Sequence, residues 1–117
     1  PEGESHYPHG QLTNVSNEVW VAELIREKLF LRLRQELPYS VHVEVEEMSQ
    51  RENGLLYIRA TIYTTDKRYQ GMIIGRGGQG VKEIGQAVRH ELEAVRGQKI
   101  YLELDVQVDP HWVEKFM

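Results

Sequence analysis

Hydrophobic residues in the stretch 21–37 recur at steps of three and four, the spacing that places them on one face of an α-helix. Either Ser16 or Asn17 can cap the start of this helix, and Pro38 can end it. Residues 1–16 are polar, contain Pro and Gly and show no period, so we expect a linker there. The predicted helix buries the stripe Val21, Leu24, Ile25, Leu29, Leu33 and Leu37.

Two segments that alternate between apolar and polar residues follow, and this is the period of strands with one buried face. The first has Val41, Val43 and Val45 on its apolar side. Asn53-Gly54 tolerates positive φ and favours a tight reversal, which predicts that the two strands pair as a hairpin. The second strand, residues 55–64, has the apolar side Leu56, Ile58, Ala60 and Ile62.

The last third of the chain predicts a second helix and a third strand. The helix runs from about Gln79 to Arg96 and ends at Gly97, which can adopt positive φ. Residues 69–74 are apolar but too short to be assigned by period. The predicted inward side chains are Val81, Ile84, Val88, Leu92 and Val95 in the helix, and Ile100, Leu102, Leu104, Val106 and Val108 in the strand.

This order of elements predicts an α+β fold with two layers, in which helices cover one face of a three-stranded sheet. A chain of 117 residues suits one domain. We expect a linker over residues 1–16, the folded domain over 17–108 and a tail over 109–117. The solvent face of the sheet would carry His42, Glu44, Glu46, Glu103 and Asp105 and would be acidic.

Charge limits where an anionic partner can bind. The net charge of −4 argues against a protein that coats nucleic acid non-specifically. Residues 66–82 reverse the sign, with Lys67, Arg68, Arg76 and Lys82 against Asp66. The chain has no cysteine, which excludes disulfides and thiolate metal sites and fits the cytoplasm, and no apolar run long enough for a transmembrane helix. His6 and His9 lack a third ligand, so no metal is expected.

The cluster Gly75-Arg76-Gly77-Gly78-Gln79-Gly80 carries the strongest chemical signal. It stands where the second helix begins, so unpaired backbone amides and the positive end of the helix dipole can meet an anion there. A nucleotide P-loop is excluded, because the lysine is misplaced and the hydroxyl that binds Mg²⁺ is missing. No residues suggest a catalytic site.

Two anion-binding designs fit the glycines. Gly75, Gly77 and Gly80 match a dinucleotide-binding fingerprint, with Glu103 or Asp105 as the acid for a ribose. That design requires a strand over residues 69–74, and the chain after the motif suffices for only one βαβ unit. The other design is the G-x-x-G loop of a KH domain, which clamps single-stranded nucleic acid beside an apolar groove.

The sequence resembles the C-terminal KH domain of the Era family of bacterial GTPases. The resemblance covers about residues 11–112 and is carried by the runs AELIREKLF at 22–30, ELPYSV at 36–41, ENG at 52–54, GMIIGRGG at 71–78, KEIG at 82–85 and KIYLEL at 99–104. It implies a type II KH fold with a mixed sheet. It also implies binding of single-stranded RNA near the 3′ end of small-subunit ribosomal RNA during ribosome assembly.

Further partners implied by the resemblance are the small ribosomal subunit and an N-terminal GTPase domain, whose motifs this chain lacks; the parent protein can be peripheral at the inner membrane. No cofactor is expected. The alternative is a protein-docking module that uses the acidic sheet face and has little affinity for RNA. The predicted RNA-binding residues are Gly75, Arg76, Gly77, Gly78, Gln79 and Lys82 at the loop, Met72, Ile73, Ile74 and Val81 in the groove, and Lys67 and Arg68 before it.

Overall fold

A three-stranded sheet covered on one face by three helices forms the core of the computed structural model, which describes residues 15–33 and 41–109. In chain order the elements are α1 (Val15–Leu33), β1 (His42–Gln50), β2 (Leu56–Thr64), α2 (Lys67–Ile74), α3 (Gln79–Arg96) and β3 (Ile100–Val108). Strand β2 is central, antiparallel to β1 and parallel to β3. The predicted α+β class and mixed sheet are confirmed.

The hairpin forms where the sequence predicts it. Asn53 and Gly54 turn the chain with φ angles of 68° and 75°. The register pairs Val43 with Ile62 and Val45 with Ala60, so the apolar sides of both strands face the helices. Glu46 is skipped in the residue-to-residue pairing of β1 with β2, which makes a β-bulge. The bulge keeps Met48 on the buried side, at 2% exposure.

The core consists of the predicted stripes, with one correction. The predicted positions of β2 are all buried, as are Ile84, Val88 and Leu92 on α3. Val95 is 62% exposed, so the prediction that it joins the core is wrong. Helical spacing gives the direction of a side chain, whereas burial also needs a neighbouring element opposite it, and burial on α3 ends at Leu92.

Helix α1 differs from the prediction at its start. It already includes Val15, so Ser16 and Asn17 lie inside the helix and do not cap it. Gly97 ends α3 with a φ of 67°, as predicted. Leu37, Pro38 and residues 1–14, with His6 and His9, lie outside the described residues. None of the described helices is long and apolar enough to cross a membrane.

Two ion pairs fix α3 against α1 and so position the glycine-rich turn. Lys28 Nζ lies 2.7 Å from Glu91 Oε1, and this hydrogen bond raises the pKa of Lys28. Arg32 pairs with Glu83 one turn after the start of α3. Since Arg32–Glu83 is exposed and Lys28–Glu91 is partly exposed, we assign both pairs to orientation of the helices more than to net stability.

Candidate nucleic-acid interface

Residues 67–74, which the period could not assign, form helix α2. Asp66 caps it by accepting a hydrogen bond from the amide of Arg68 at 2.9 Å. The helix ends at Gly75, whose amide donates to the Gly71 carbonyl at 2.9 Å. Because 69–74 is helical, the strand that a dinucleotide-binding unit needs is missing, and that alternative is wrong.

Gly75 and Gly80 let the end of α2 touch the start of α3. A Cβ atom at Gly80 would lie 2.5 Å from the carbonyl oxygen of Ile73, and one at Gly75 would lie 2.8 Å from the amide nitrogen of Gly80. Both contacts are with backbone, which cannot move aside cheaply. These two glycines therefore set the packing of α2 on α3, a role that the sequence did not reveal.

Gly77 and Gly78 form the open part of the turn. Their φ angles are 63° and 78°, and a Cβ atom at either position would meet nothing within 4 Å. The Gly78 amide donates to the Gly75 carbonyl at 3.1 Å, whereas the amides of Arg76 and Gly77 donate to no group among the described residues. An anion can therefore reach these amides without steric hindrance.

Charges around the turn favour an anion. Arg76 and Lys82 are exposed on it, and Lys67 and Arg68 are exposed at the start of α2. The Arg68 guanidinium lies 5.7 Å from the ring centre of Tyr69. The Gln79 amide donates to Glu83 at 3.0 Å and, together with the charge of Arg32, this bond lowers the pKa of Glu83.

One residue of the predicted groove does not reach the surface. Ile73 has 0% exposure and belongs to the core, so its side chain cannot line a surface groove. Met72 and Ile74 are partly exposed beside the turn. Val81 lies at the start of a cleft of about 320 Å³ between α3 and β3. The cleft is lined by Val81, Lys82, Gly85, Gln86, Arg89, Tyr101, Leu102 and Leu104.

Gly85 borders this cleft. A Cβ atom at Gly85 would meet nothing within 4 Å, so no neighbour requires a glycine for close contact. The missing side chain instead leaves the cleft open opposite Leu102 and Leu104.

Strand β3 turns a free backbone edge towards the cleft. Residues of a parallel pair direct their N–H and C=O groups to alternate edges. The Lys99 carbonyl and the Asp109 amide bond to β2, so the even-numbered residues of β3 face away from it. Glu93 accepts from the Ile100 amide, and Gln70 donates to the Val106 carbonyl.

Between these two bonds the edge is unpaired. The N–H and C=O groups of Leu102 and Leu104 have no partner among the described residues, and both leucines line the cleft. The cleft thus has an apolar floor and a row of backbone donors and acceptors, an arrangement that can hydrogen bond to the edge of a flat heterocycle. The sequence did not predict this free backbone edge of β3, because only the pairing of β3 with β2 determines which residues face the cleft.

The outer sheet face is acidic, as predicted, but its carboxylates have internal partners. Glu46 accepts hydrogen bonds from Thr61 at 3.0 Å and Arg59 at 3.3 Å. Glu103 accepts from the Tyr57 hydroxyl at 2.5 Å. Among the described residues no group of three or more His, Cys, Asp or Glu is placed to hold a metal ion.

Comparison with known proteins identifies the fold family. A family model for the KH domain matches residues 36–113. The chain belongs to the KH domain family. The chain is 44% identical to the GTPase Era of Halothermothrix orenii over 98% of its own length and 39% of that protein. It is 45% identical to the GTPase Era of Thermotoga petrophila over 98% of the chain and 38% of that protein.

Two solved structures resemble this KH domain. One is a variant of Aquifex aeolicus Era bound to GDP and aluminium fluoride, with a TM-score of 0.77 and 35% identity over 92% of the chain and 36% of that structure. The other is Era in complex with MgGDPNP and nucleotides 1506–1542 of 16S ribosomal RNA, with a TM-score of 0.78 and 37% identity over 96% of the chain and 38% of that structure. The predicted resemblance to Era is confirmed, and the chain spans less than two fifths of these relatives.

Proposed function

We propose that this KH domain binds single-stranded RNA along a path from the Gly77–Gly78 turn into the cleft between α3 and β3. The observation that carries the proposal is the free edge of β3 at Leu102 and Leu104, which lies in the same cleft as Val81 and Lys82. Phosphate binding at the turn and base binding at the edge are thereby joined in one continuous surface.

Phosphates would bind at the turn. The unpaired amides of Arg76 and Gly77 offer donors, and the positive φ of Gly77 and Gly78 keeps the approach clear. Arg76 and Lys82 supply formal charge, Gln79 begins α3 beside the turn, and Lys67 and Arg68 add charge at the other end of α2. Gly75 supports the turn through its contact with Gly80.

Bases would enter the cleft. Val81, Leu102 and Leu104 offer apolar contact to a base plane, with Met72 and Ile74 beside the turn. The N–H and C=O groups of Leu102 and Leu104 would bond to base edges. A base that fits both groups satisfies backbone that otherwise bonds only to water, which favours bound over free RNA.

The similarity of the chain to Era also supports a proposal for which RNA it binds. One related structure holds nucleotides 1506–1542 of 16S ribosomal RNA. We assign this chain the same class of ligand, near the 3′ end of small-subunit ribosomal RNA, with a role in ribosome assembly in the cytoplasm. GTP hydrolysis would belong to the part of the Era proteins that this chain does not match, so the chain itself acts as a binding module and not as an enzyme.

Binding is measured by fluorescence anisotropy with a labelled RNA of about 12 nucleotides that copies the 3′ end of small-subunit ribosomal RNA, against a scrambled RNA. The double variant Arg76→Asp, Gly77→Asp places two carboxylates where the phosphate would bind. Binding should fall by at least tenfold. Thermal unfolding should shift only modestly, because both positions are exposed and a Cβ atom at Gly77 meets nothing, and because Asp tolerates the positive φ of Gly77 better than most residues do.

The matched control is Arg76→Asn, Gly77→Asn, which has nearly the same shape without the negative charge. Asn also tolerates positive φ well. This variant should lose less affinity than the Asp pair. Equal affinity of the wild-type chain and the Asp pair would reject the site, and no binding of either RNA by the wild-type chain would reject the function.

Protein docking by the acidic sheet face is less well supported. The net charge of −4 favours a basic partner. However, Glu46 and Glu103 are already hydrogen bonded to Thr61, Arg59 and Tyr57, so a partner would have to displace these bonds.

A further inference from the structure

Arg89 is a charged side chain that lines the cleft and takes no part in the phosphate site proposed at the turn. It lies on α3 ten residues after Gln79, which at 1.5 Å per residue is about 15 Å along the helix. Arg89 therefore faces a different part of a bound strand from Arg76 and Lys82. Across the cleft lie Leu102 and Leu104 with their unpaired backbone groups.

The guanidinium of Arg89 lacks the partners that an internal structural role would give it. Its Nε atom is buried and has no hydrogen-bond partner within residues 15–33 and 41–109. None of the ion pairs among the described residues includes Arg89, whereas Lys28, Arg32, Arg51 and Arg59 all pair with carboxylates. A buried donor without an acceptor is unfavourable, so binding is favoured when a ligand in the cleft lets the guanidinium reach an acceptor.

We propose that Arg89 determines base specificity in the cleft by donating two hydrogen bonds to a base with two neighbouring acceptors. This inference rests on the proposed RNA-binding function and adds a residue to it. In RNA, guanine offers such a pair at O6 and N7, and cytosine at O2 and N3. Guanidinium is a rigid fork of donors that fits such a pair, whereas an N–H or C–H group stands between or beside the acceptors of adenine and uracil.

The cleft supports a base contact over a phosphate contact. Val81, Leu102 and Leu104 give it an apolar floor, which suits a base plane. The unpaired N–H and C=O groups opposite Arg89 would hold a second edge of the same base. Phosphates carry no such edge, and the unhindered amides that suit them lie at the turn.

The test is equilibrium selection from a pool of random eight-nucleotide RNAs, sequenced after capture by the wild-type chain and by variants. The wild-type chain should enrich guanine or cytosine at one position. Arg89→Met should abolish this preference, weakening binding of the preferred RNA by about 5- to 100-fold while changing binding of RNAs without that base by less than threefold. Arg89→Lys should recover some affinity but not the preference, because an ammonium is a point charge.

The matched control is Arg96→Met. Arg96 lies two turns further along the same helix, bonded to Gln98 and outside the cleft lining. It should leave the base preference unchanged. Equal loss by Arg89→Met on all RNAs would show a phosphate contact and overturn the proposal, as would an unchanged preference.

Failure of the inference is distinguishable from failure of the proposed function. If the wild-type chain captures RNA and the Arg76→Asp, Gly77→Asp pair does not, the function stands whatever Arg89 does. If the wild-type chain captures no RNA, the function fails, and the inference with it. Unfolding curves of Arg89→Met show whether the variant is folded, and base preference is a readout that a structural role of Arg89 would not move.

Discussion

Gly77 and Gly80 lie three positions apart in the glycine-rich turn, but an added Cβ atom would meet different surroundings at each. Gly80 excludes a side chain because the Ile73 carbonyl is 2.5 Å from where it would begin. Gly77 has open space but needs positive φ, with a φ of 63°. Gly80 thus allows the two helices to pack, and Gly77 leaves the backbone of the turn accessible.

Gly80→Ala should therefore destabilise the domain. The methyl group would push α3 away from α2, and overpacking of this kind costs about 1–3 kcal/mol. The control is Gly71→Ala on α2, where a Cβ atom meets nothing within 4 Å and the backbone is helical, so stability should rise by about 0.5–1 kcal/mol. Chemical denaturation measures both, and equal stability of the two variants would contradict this role of Gly80.

Thr64 carries a hydroxyl that the core does not need. The residue has 0% exposure, and its Oγ1 atom has no hydrogen-bond partner in the part of the chain that the structure describes. Thr64→Val replaces the hydroxyl with a methyl group of similar size, so the free energy of unfolding should stay equal or rise by about 1 kcal/mol. A loss of more than 1 kcal/mol by chemical denaturation would show that the hydroxyl has a stabilising partner.

At the scale of elements, periods in the sequence predicted five of the six helices and strands. Alternation places Ile58 and Ile62 inward, and the left-handed Asn53-Gly54 turn fixes the register with β1. Helix α2 was not predicted, because its apolar run is short and includes Gly71. The β-bulge at Glu46 was not predicted either, since it depends on the pairing of β1 with β2 rather than on the sequence of β1 alone.

Strand β1 introduces a pH dependence through His42. Burial lowers the pKa of His42, Arg26 adds to this, and Glu44 opposes it. The folded state therefore disfavours the proton more than the unfolded state does. Stability contributed by neutral His42 is present near pH 7 and is lost as the pH falls through about 6.5 towards the lowered pKa.

The variant His42→Gln should have a flatter dependence of unfolding free energy on pH between pH 7 and 5 than the wild-type chain. The control is His90→Gln, which changes an exposed histidine on α3. Denaturation curves at several pH values measure the difference. Parallel pH profiles of the wild-type chain and His42→Gln would contradict a lowered pKa.

At the scale of the whole molecule, an acidic protein presents a local basic surface. The net charge is −4, yet Arg76 and Lys82 are exposed at the turn, and Lys67 and Arg68 are exposed at the other end of α2. The loop and its charges could be predicted from the sequence. The cleft could not, because Gly85, Arg89 and Leu102 come together only when β3 pairs with β2 and turns its other edge to α3.

Salt should weaken RNA binding only moderately. If two to four phosphates are neutralised at the turn, the slope of log K against log salt should be about −1.5 to −3 for a single strand. Anisotropy titrations at a series of salt concentrations give the slope. A slope steeper than about −5 would indicate a wide electrostatic surface, and a slope near zero would indicate that no phosphate is neutralised.

The central claim is that RNA lies across the turn and in the cleft between α3 and β3. The most direct measurement is an NMR titration of the ¹⁵N-labelled chain with the 12-nucleotide RNA, observing backbone amides. The largest shifts should fall on Arg76, Gly77, Leu102 and Leu104, whose amides are unpaired. Shifts confined to the outer sheet face, around Glu46 and Glu103, would contradict the claim.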